Sequence, residues 1–181
     1  MANFYISDTH FGHANIMRHC NREFFNVDEM DEVFIKNWNS VVTDNDDVYI
    51  LGDFCYRNDK SAEWYLRKLK GRKHLVIGNH DGELLKNPQA MAQFETVDKM
   101  QHITDGDKHI CLCHFPIAEW NGFHKGHWHI YGHIHGRLDD TYYFMRNRER
   151  ALNAAACINN YTPVSLNELI RNNQNFKEMH K

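Results

Sequence analysis

The chain has 181 residues, one domain's worth, with 42% apolar and 25% charged types, a globular mix that excludes a disordered or collagen-like polymer. Lys plus Arg is 21 against 24 for Asp plus Glu, a net charge of −3 that provides no basic field for extended nucleic-acid binding. The opening MANFYISDTH lacks a signal peptide's charged start and apolar middle, and no apolar run reaches the ~20 residues of a membrane helix. Five cysteines with no CxxC pair argue against a disulfide or zinc-ribbon scaffold, so a cytoplasmic protein with free thiols is expected.

In chain order, short β-branched or aromatic runs predict strands at 4–6, 48–51, 75–77, 110–113 and 128–131, with a weaker, small-residue candidate at 151–158. Amphipathic helices fall between the early strands. Met30, Val33, Phe34 and Trp38 share one face of a helix that Asp28 would cap, and Ala62, Tyr65, Leu66 and Leu69 repeat the pattern before Gly71. Pro88 argues against a helix through 82–92. Pro163 is expected to stop a strand, and Ser165 with Glu168 forms a capping box before Leu166, Leu169 and Ile170. The polar residues from about 172 to 181 are expected to fray. The β-α-β-α-β opening reads as an α/β layered protein, and one domain over 1–181 is expected, with no linker or repeat.

The residues just past each strand carry the chemistry. The first strand runs into Ser7-Asp8-Thr9-His10, the second into Gly52-Asp53, the third into Gly78-Asn79-His80-Asp81, the fourth into His114, and the fifth into Gly132-His133-Ile134-His135. Carboxyl ends of strands are where open α/β sheets place their sites. The i, i+2 spacing of Asp8/His10 and of His133/His135 puts each pair on one face of an extended backbone. Asp, Asn and His without cysteine form an N/O ligand set suited to Mn²⁺, Fe, Ni²⁺, Co²⁺ or Zn²⁺. Seven such ligands exceed the needs of one ion and divide naturally between two that share a carboxylate. Two ions ~3.5–4 Å apart can together hold a phosphoryl group and a hydroxide for in-line attack.

The ordered blocks D-x-H (8–10), G-D (52–53), G-N-H-D (78–81), H (114) and G-H-x-H (132–135) resemble the calcineurin-like metallophosphoesterase superfamily. SDTHFGH, LGDF and NYTPVSLNEL resemble, more narrowly, small bacterial and phage predicted phosphoesterases. The resemblance implies a four-layer α-β-β-α sandwich without a cap domain. It also implies a first metal on Asp8, His10, Asp53 and His135 and a second on Asn79, His114 and His133, with Asp53 bridging. Mn²⁺ is the first choice for both ions. His80 would protonate the leaving oxygen, and Asp81 would hold the His80 ring. The implied activity is hydrolysis of a small phosphate ester or nucleotide, foremost a phosphodiester or cyclic nucleotide, by metal-activated hydroxide.

The other histidines, His13, His19, His74, His102, His109, His129 and His180, read as surface or packing residues. Segment 120–127 is either a surface connection or a substrate-facing loop whose His124, Lys125 or His127 meets phosphate, alongside Asn79 and His80. Arg57 is either a phosphate clamp or the partner of an acidic neighbour. Phe11, Trp120 and Phe123 would pack rather than stack on a base. Rival readings are a phosphomonoesterase or nucleotide pyrophosphohydrolase in the same class, a nuclease working on a short single strand, and a non-catalytic metal-containing scaffold for a protein partner. A scaffold would have little need of His80 or of a complete ligand set.

Overall fold

A computed structural model describes residues 1–56 and 60–181. Among them, β1 (Asn3–Ile6), β2 (Asp47–Ile50), β3 (Arg72–Val76) and β4 (Phe94–Asp98) pair in parallel, and β9 (Val164–Ser165) joins β1 antiparallel, giving the order β4-β3-β2-β1-β9. A second sheet runs β5 (Met100–Asp105), β6 (Lys108–Cys113), β7 (Trp128–Tyr131) and β8 (Ala151–Asn153), antiparallel at β5/β6 and parallel beyond. Lys99 alone separates β4 from β5, so the chain passes from one sheet to the other there.

The strand period of two sorts the apolar side chains into three layers. Ile6, Val48, Ile50 and Leu75 face outward from the first sheet onto Met30, Phe34 and Trp38 of α2 (Val27–Val41) and Tyr65 and Leu66 of α3 (Ala62–Leu66). Their neighbours Tyr5, Leu51 and Val76 face the other way, against Ile110, Leu112, Ile130 and Leu152 of the second sheet. Cys111, Tyr131 and Ala151 then point out of the far side, onto Tyr142 and Met145 of a helix at Asp140–Met145. The result is the expected α-β-β-α sandwich, and no cap domain occurs among the described residues.

Several local expectations need correction. The α2 cap is Asn26, whose side chain accepts the Glu29 N–H at 2.9 Å, and Asp28 lies inside the first turn, beside the positive end of the helix dipole. Pro88 starts a short helix (Pro88–Met91) instead of blocking one, because its missing N–H falls at the first helical position behind the Asn87 cap. Pro163 precedes a strand rather than ending one, a place at a sheet edge where no N–H is required. The 151–158 run is strand only to Asn153 and then a 3₁₀ turn, Ala156–Ile158. Its small residues let the two sheets touch, with Ser7 N–H donating to Ala154 at 2.9 Å and Ala156 N–H to Ser7 at 3.0 Å. The tail expected to fray is part of a 14-residue helix, Leu166–Met179, which opens on the predicted Ser165–Glu168 capping box and buries Asn173. Sequence reading also missed β4, β5 and the short helices at Ala14–His19 and Asp140–Met145. No helix among the described residues is long and apolar enough to cross a membrane.

Candidate metal centre

The parallel strands bring Asp8, His10, Asp53, Asn79, His114, His133 and His135 to one end of the sandwich. Backbone bonds fasten their loops together: Asp8 N–H donates to Gly52 at 3.0 Å, His10 N–H to Asp53 at 3.0 Å, and Gly132 N–H to His114 at 2.9 Å. The glycine at 52 is required, since a Cβ there would stand 2.6 Å from the Gly78 backbone and from His114 Nδ1, at a φ of +80°.

Five of the eight non-glycine residues with positive φ among the described residues belong to this set: Asp8 (56°), His10 (51°), Asp53 (54°), His133 (68°) and His135 (52°). The left-handed region is costly for side-chain-bearing residues and persists only where surrounding bonds impose it. Here they do. Buried Arg22 donates to the carbonyls of Thr9 (2.8 Å) and Asp8 (2.5 Å). His133 N–H donates to the Asp8 carboxylate at 3.0 Å, and Asn153 Nδ2 donates to the His135 carbonyl at 2.7 Å.

Two groups of side chains are arranged to hold a cation: Asp8, His10 and His135, and Asp8, Asp53 and His114. Asp8 is common to both. Asp53 Oδ2 lies 3.6 Å from Nε2 of His10 and of His114, and Asp8 Oδ1 lies 3.6 Å from His135 Nε2. These gaps are too long for hydrogen bonds but suit two ligands that each sit about 2.1 Å from one ion. His10 is buried to 1% exposure, and among the described residues neither of its ring nitrogens nor His135 Nδ1 has a hydrogen-bond partner. An unpaired buried polar group costs about 1–3 kcal/mol, which ligation would remove.

Asn79 adds a second mark. Its Oδ1 lies 2.9 Å from both His114 Nε2 and His133 Nδ1. His114 Nδ1, 2.7 Å from the Leu51 carbonyl, must donate there, so a neutral ring turns the Nε2 lone pair toward another acceptor. A cation between them resolves that conflict. The N/O donor set, the orphaned nitrogens and the facing lone pairs all fit divalent metal.

Burial dominates the electrostatics. It pushes the His10 imidazole far below the ordinary histidine range, an effect deepened by neighbouring His135 and Arg22, and it lowers His133 and His135 as well. Asp53 is pushed up to about 7, by desolvation first and then by the Asp8 carboxylate. Neutral imidazoles are the ligand form, so the histidines stand ready for metal.

His80 is half-buried at the edge of the set, its N–H donating to Asp53 Oδ1 at 2.7 Å and its ring packed against Tyr56 (4.6 Å between centroids) and His10 (5.5 Å). Asp81 does not hold that ring. Both its oxygens are taken by backbone N–H groups of Asp53, Gly78 and Phe54, so it serves the loops instead. His127 is not brought to the centre: it precedes β7, beside His109 at the opposite end of the second sheet (4.9 Å between rings). His124 is exposed, 3.9 Å from Glu119. Arg57 lies outside the described residues.

Two contributors escaped sequence reading. Arg22 carried no signal there. Asp31 carried one, as a carboxylate three residues before Phe34 on the apolar face of α2, and it accepts the Gly12 N–H (3.0 Å) and the Tyr65 hydroxyl (2.7 Å) behind the first loop.

No family model matches the chain. It is 36% identical over 170 residues to the uncharacterized protein MJ1445 of Methanocaldococcus jannaschii, covering 93% of this chain and 89% of that one. It is 31% identical over 162 residues to the gene 66 protein of Mycobacterium phage L5, covering 75% and 78%. Among solved structures, the protein of unknown function AQ665 from Aquifex aeolicus superposes with a TM-score of 0.73 at 28% identity, over 93% of this chain and 97% of that one. The Pseudomonas putida nuclease MPE shares the fold, with a TM-score of 0.50 at 19% identity over 74% and 60%. The chain therefore belongs to one family with the Methanocaldococcus protein, and its likeness to the Pseudomonas nuclease is one of fold.

Proposed function

We propose that the protein is a dinuclear metal-dependent phosphoric ester hydrolase acting on a phosphodiester or cyclic nucleotide. The observation that carries this reading is the buried imidazole and carboxylate set in which His10 has, among the described residues, no hydrogen-bond partner at either ring nitrogen. Asp8, His10 and His135 would hold one ion, and Asp53 and His114, with Asn79 and His133, the other; Asp8 and Asp53 face both sets. When bound, a pair of divalent ions, Mn²⁺ first among Mn²⁺, Fe, Ni²⁺, Co²⁺ and Zn²⁺, supplies charge that binds the phosphate and acidifies a water nucleophile.

The chain's own groups do the rest. Asp53 Oδ1 holds the His80 backbone and so fixes the imidazole at the rim, from where it donates a proton to the departing oxygen. Exposed Asn79 can reach a phosphate oxygen from the same loop. No cap domain is inserted among the described residues, which favours diesters over a small enclosed monoester.

The test is hydrolysis of bis(p-nitrophenyl) phosphate and of cyclic and monoester nucleotides by metal-stripped protein, before and after adding Mn²⁺. Turnover that requires the metal and favours the diesters is expected. Equal rates with and without metal would overturn the proposal.

A further inference from the structure

A cavity of about 290 Å³ opens beside the candidate centre, with His135 in its wall next to Gly136, Arg137, Ile158, Tyr161 and Phe176. That volume lies at the lower end of the range for small-molecule sites. Beyond the five candidate ligand positions, three other non-glycine residues among those described have positive φ: Asn21, Asn160 and Tyr161. Asn21 and Tyr161 line this cavity, and Asn160 is the neighbour of Tyr161. Asn21 follows the helix at Ala14–His19, where a left-handed Asn is ordinary. Tyr161 is a bulky residue at φ 54°, a conformation such residues rarely adopt. Asn37 Nδ2 pins it by donating to the carbonyls of Asn160 (3.3 Å) and Tyr161 (3.4 Å). Strain therefore concentrates in the ligand loops and in the wall of this one cavity.

The lining names an occupant. Tyr161, Phe176 and Ile158 offer aromatic and apolar surface. The Arg137 guanidinium engages Ile134 and Asp139 only through Nε, which leaves its terminal nitrogens without a protein partner among the described residues. Gly136 faces the cavity walls: a Cβ there would make ordinary contact with Cys157 Sγ at 3.5 Å, Ile158 Cγ2 at 3.6 Å and Phe176 Cζ at 3.9 Å, so a longer side chain at this position would take up cavity volume. A flat group with hydrogen-bond acceptors on its edge, joined to a phosphate at the metals, matches that surface, since bases stack on aromatic side chains and pair with amides and guanidinium groups.

We infer that this cavity is a subsite for a nucleoside carried by the scissile phosphate, an inference that rests on the phosphoesterase reading for its link to catalysis. The test compares thymidine 5′-p-nitrophenyl phosphate with methyl p-nitrophenyl phosphate, two diesters that share a leaving group and differ only in the nucleoside. In Mn²⁺-loaded Gly136→Leu, kcat/KM for the nucleoside ester should fall about tenfold, the scale of one lost base stack, while the methyl ester stays at the wild-type level. Phe176→Ala, made from the other wall, should show the same selective loss. Thymidine monophosphate binding, measured by calorimetry, should weaken in both variants. Unchanged nucleotide affinity, or parallel loss of both esters in both variants, would overturn the subsite. If neither ester is hydrolysed by the wild type, the phosphoesterase reading fails instead, and the calorimetric comparison still decides the subsite.

Discussion

The carboxylate of Asp81 accepts the backbone N–H of Asp53 at 3.0 Å, so a residue outside both candidate cation groups sets the position of one that lies 3.6 Å from an imidazole of each. The same carboxylate takes the N–H groups of Gly78 (2.7 Å) and Phe54 (2.9 Å) and is fully buried. Two loops from adjacent strands thus share one anchor. Asp81→Asn keeps one acceptor oxygen and turns an NH₂ toward a backbone donor. Urea denaturation should show a loss of about 2–3 kcal/mol, with weakened Mn²⁺ binding beside it. A variant with wild-type stability would refute the anchoring role.

Metal should stabilise the fold, because the orphaned imidazoles and the crowded Asp8 and Asp53 carboxylates are relieved by a cation. At a hundredfold excess over Kd, Mn²⁺ should add about 2.7 kcal/mol per ion, read as a rise in Tm that chelator reverses. Asp53→Asn should abolish most of that rise together with turnover.

His80→Ala should separate binding from chemistry. The backbone N–H that meets Asp53 survives the substitution, so Mn²⁺ affinity measured by calorimetry should hold. Turnover should drop by about 10²–10⁴, most for esters with poor leaving groups. Unchanged kcat would remove the proton-donor role.

Acid sensitivity should come partly from His129, which lies outside the candidate ligand set. Its Nδ1 donates to the Cys111 carbonyl (3.0 Å), and its Nε2 accepts the Ile117 N–H (3.1 Å), which defines a neutral ring. Burial pushes its pKa down to about 4 from 6.5. Above pH 6.5 folded and unfolded forms are alike neutral there and its contribution is intact. Between 6.5 and 4 only the unfolded chain takes the proton, so stability falls as pH falls, by about 3 kcal/mol at the limit. Thermal melts over that window should have a shallower pH slope in His129→Gln.

Much of this was legible from residue order. Strand runs with ligand types behind them pointed to the candidate centre, because the parallel topology that gathers distant loops comes from alternating strands and helices. Edge strands β4 and β5 were not legible: FETVD and MQHITD mix charges into short half-exposed runs that become strands only by pairing with β3 and β6. The anchoring role of Asp81 was hidden for a related reason. A carboxylate next to a histidine in sequence suggests a pair, but its partners were backbone groups that only the folded loops bring near.

The final helix reaches the centre by a short ladder. Asn173 accepts the Asn153 N–H (2.8 Å) and donates to the Asn153 carbonyl (3.0 Å), and the Asn153 amide holds the His135 carbonyl. The C-terminal stretch is therefore no neutral handle. Trimming it back past Asn173 for expression or crystallisation would unseat an imidazole more than thirty positions upstream, and the damage would register as lost affinity for a cation before any loss of helix content.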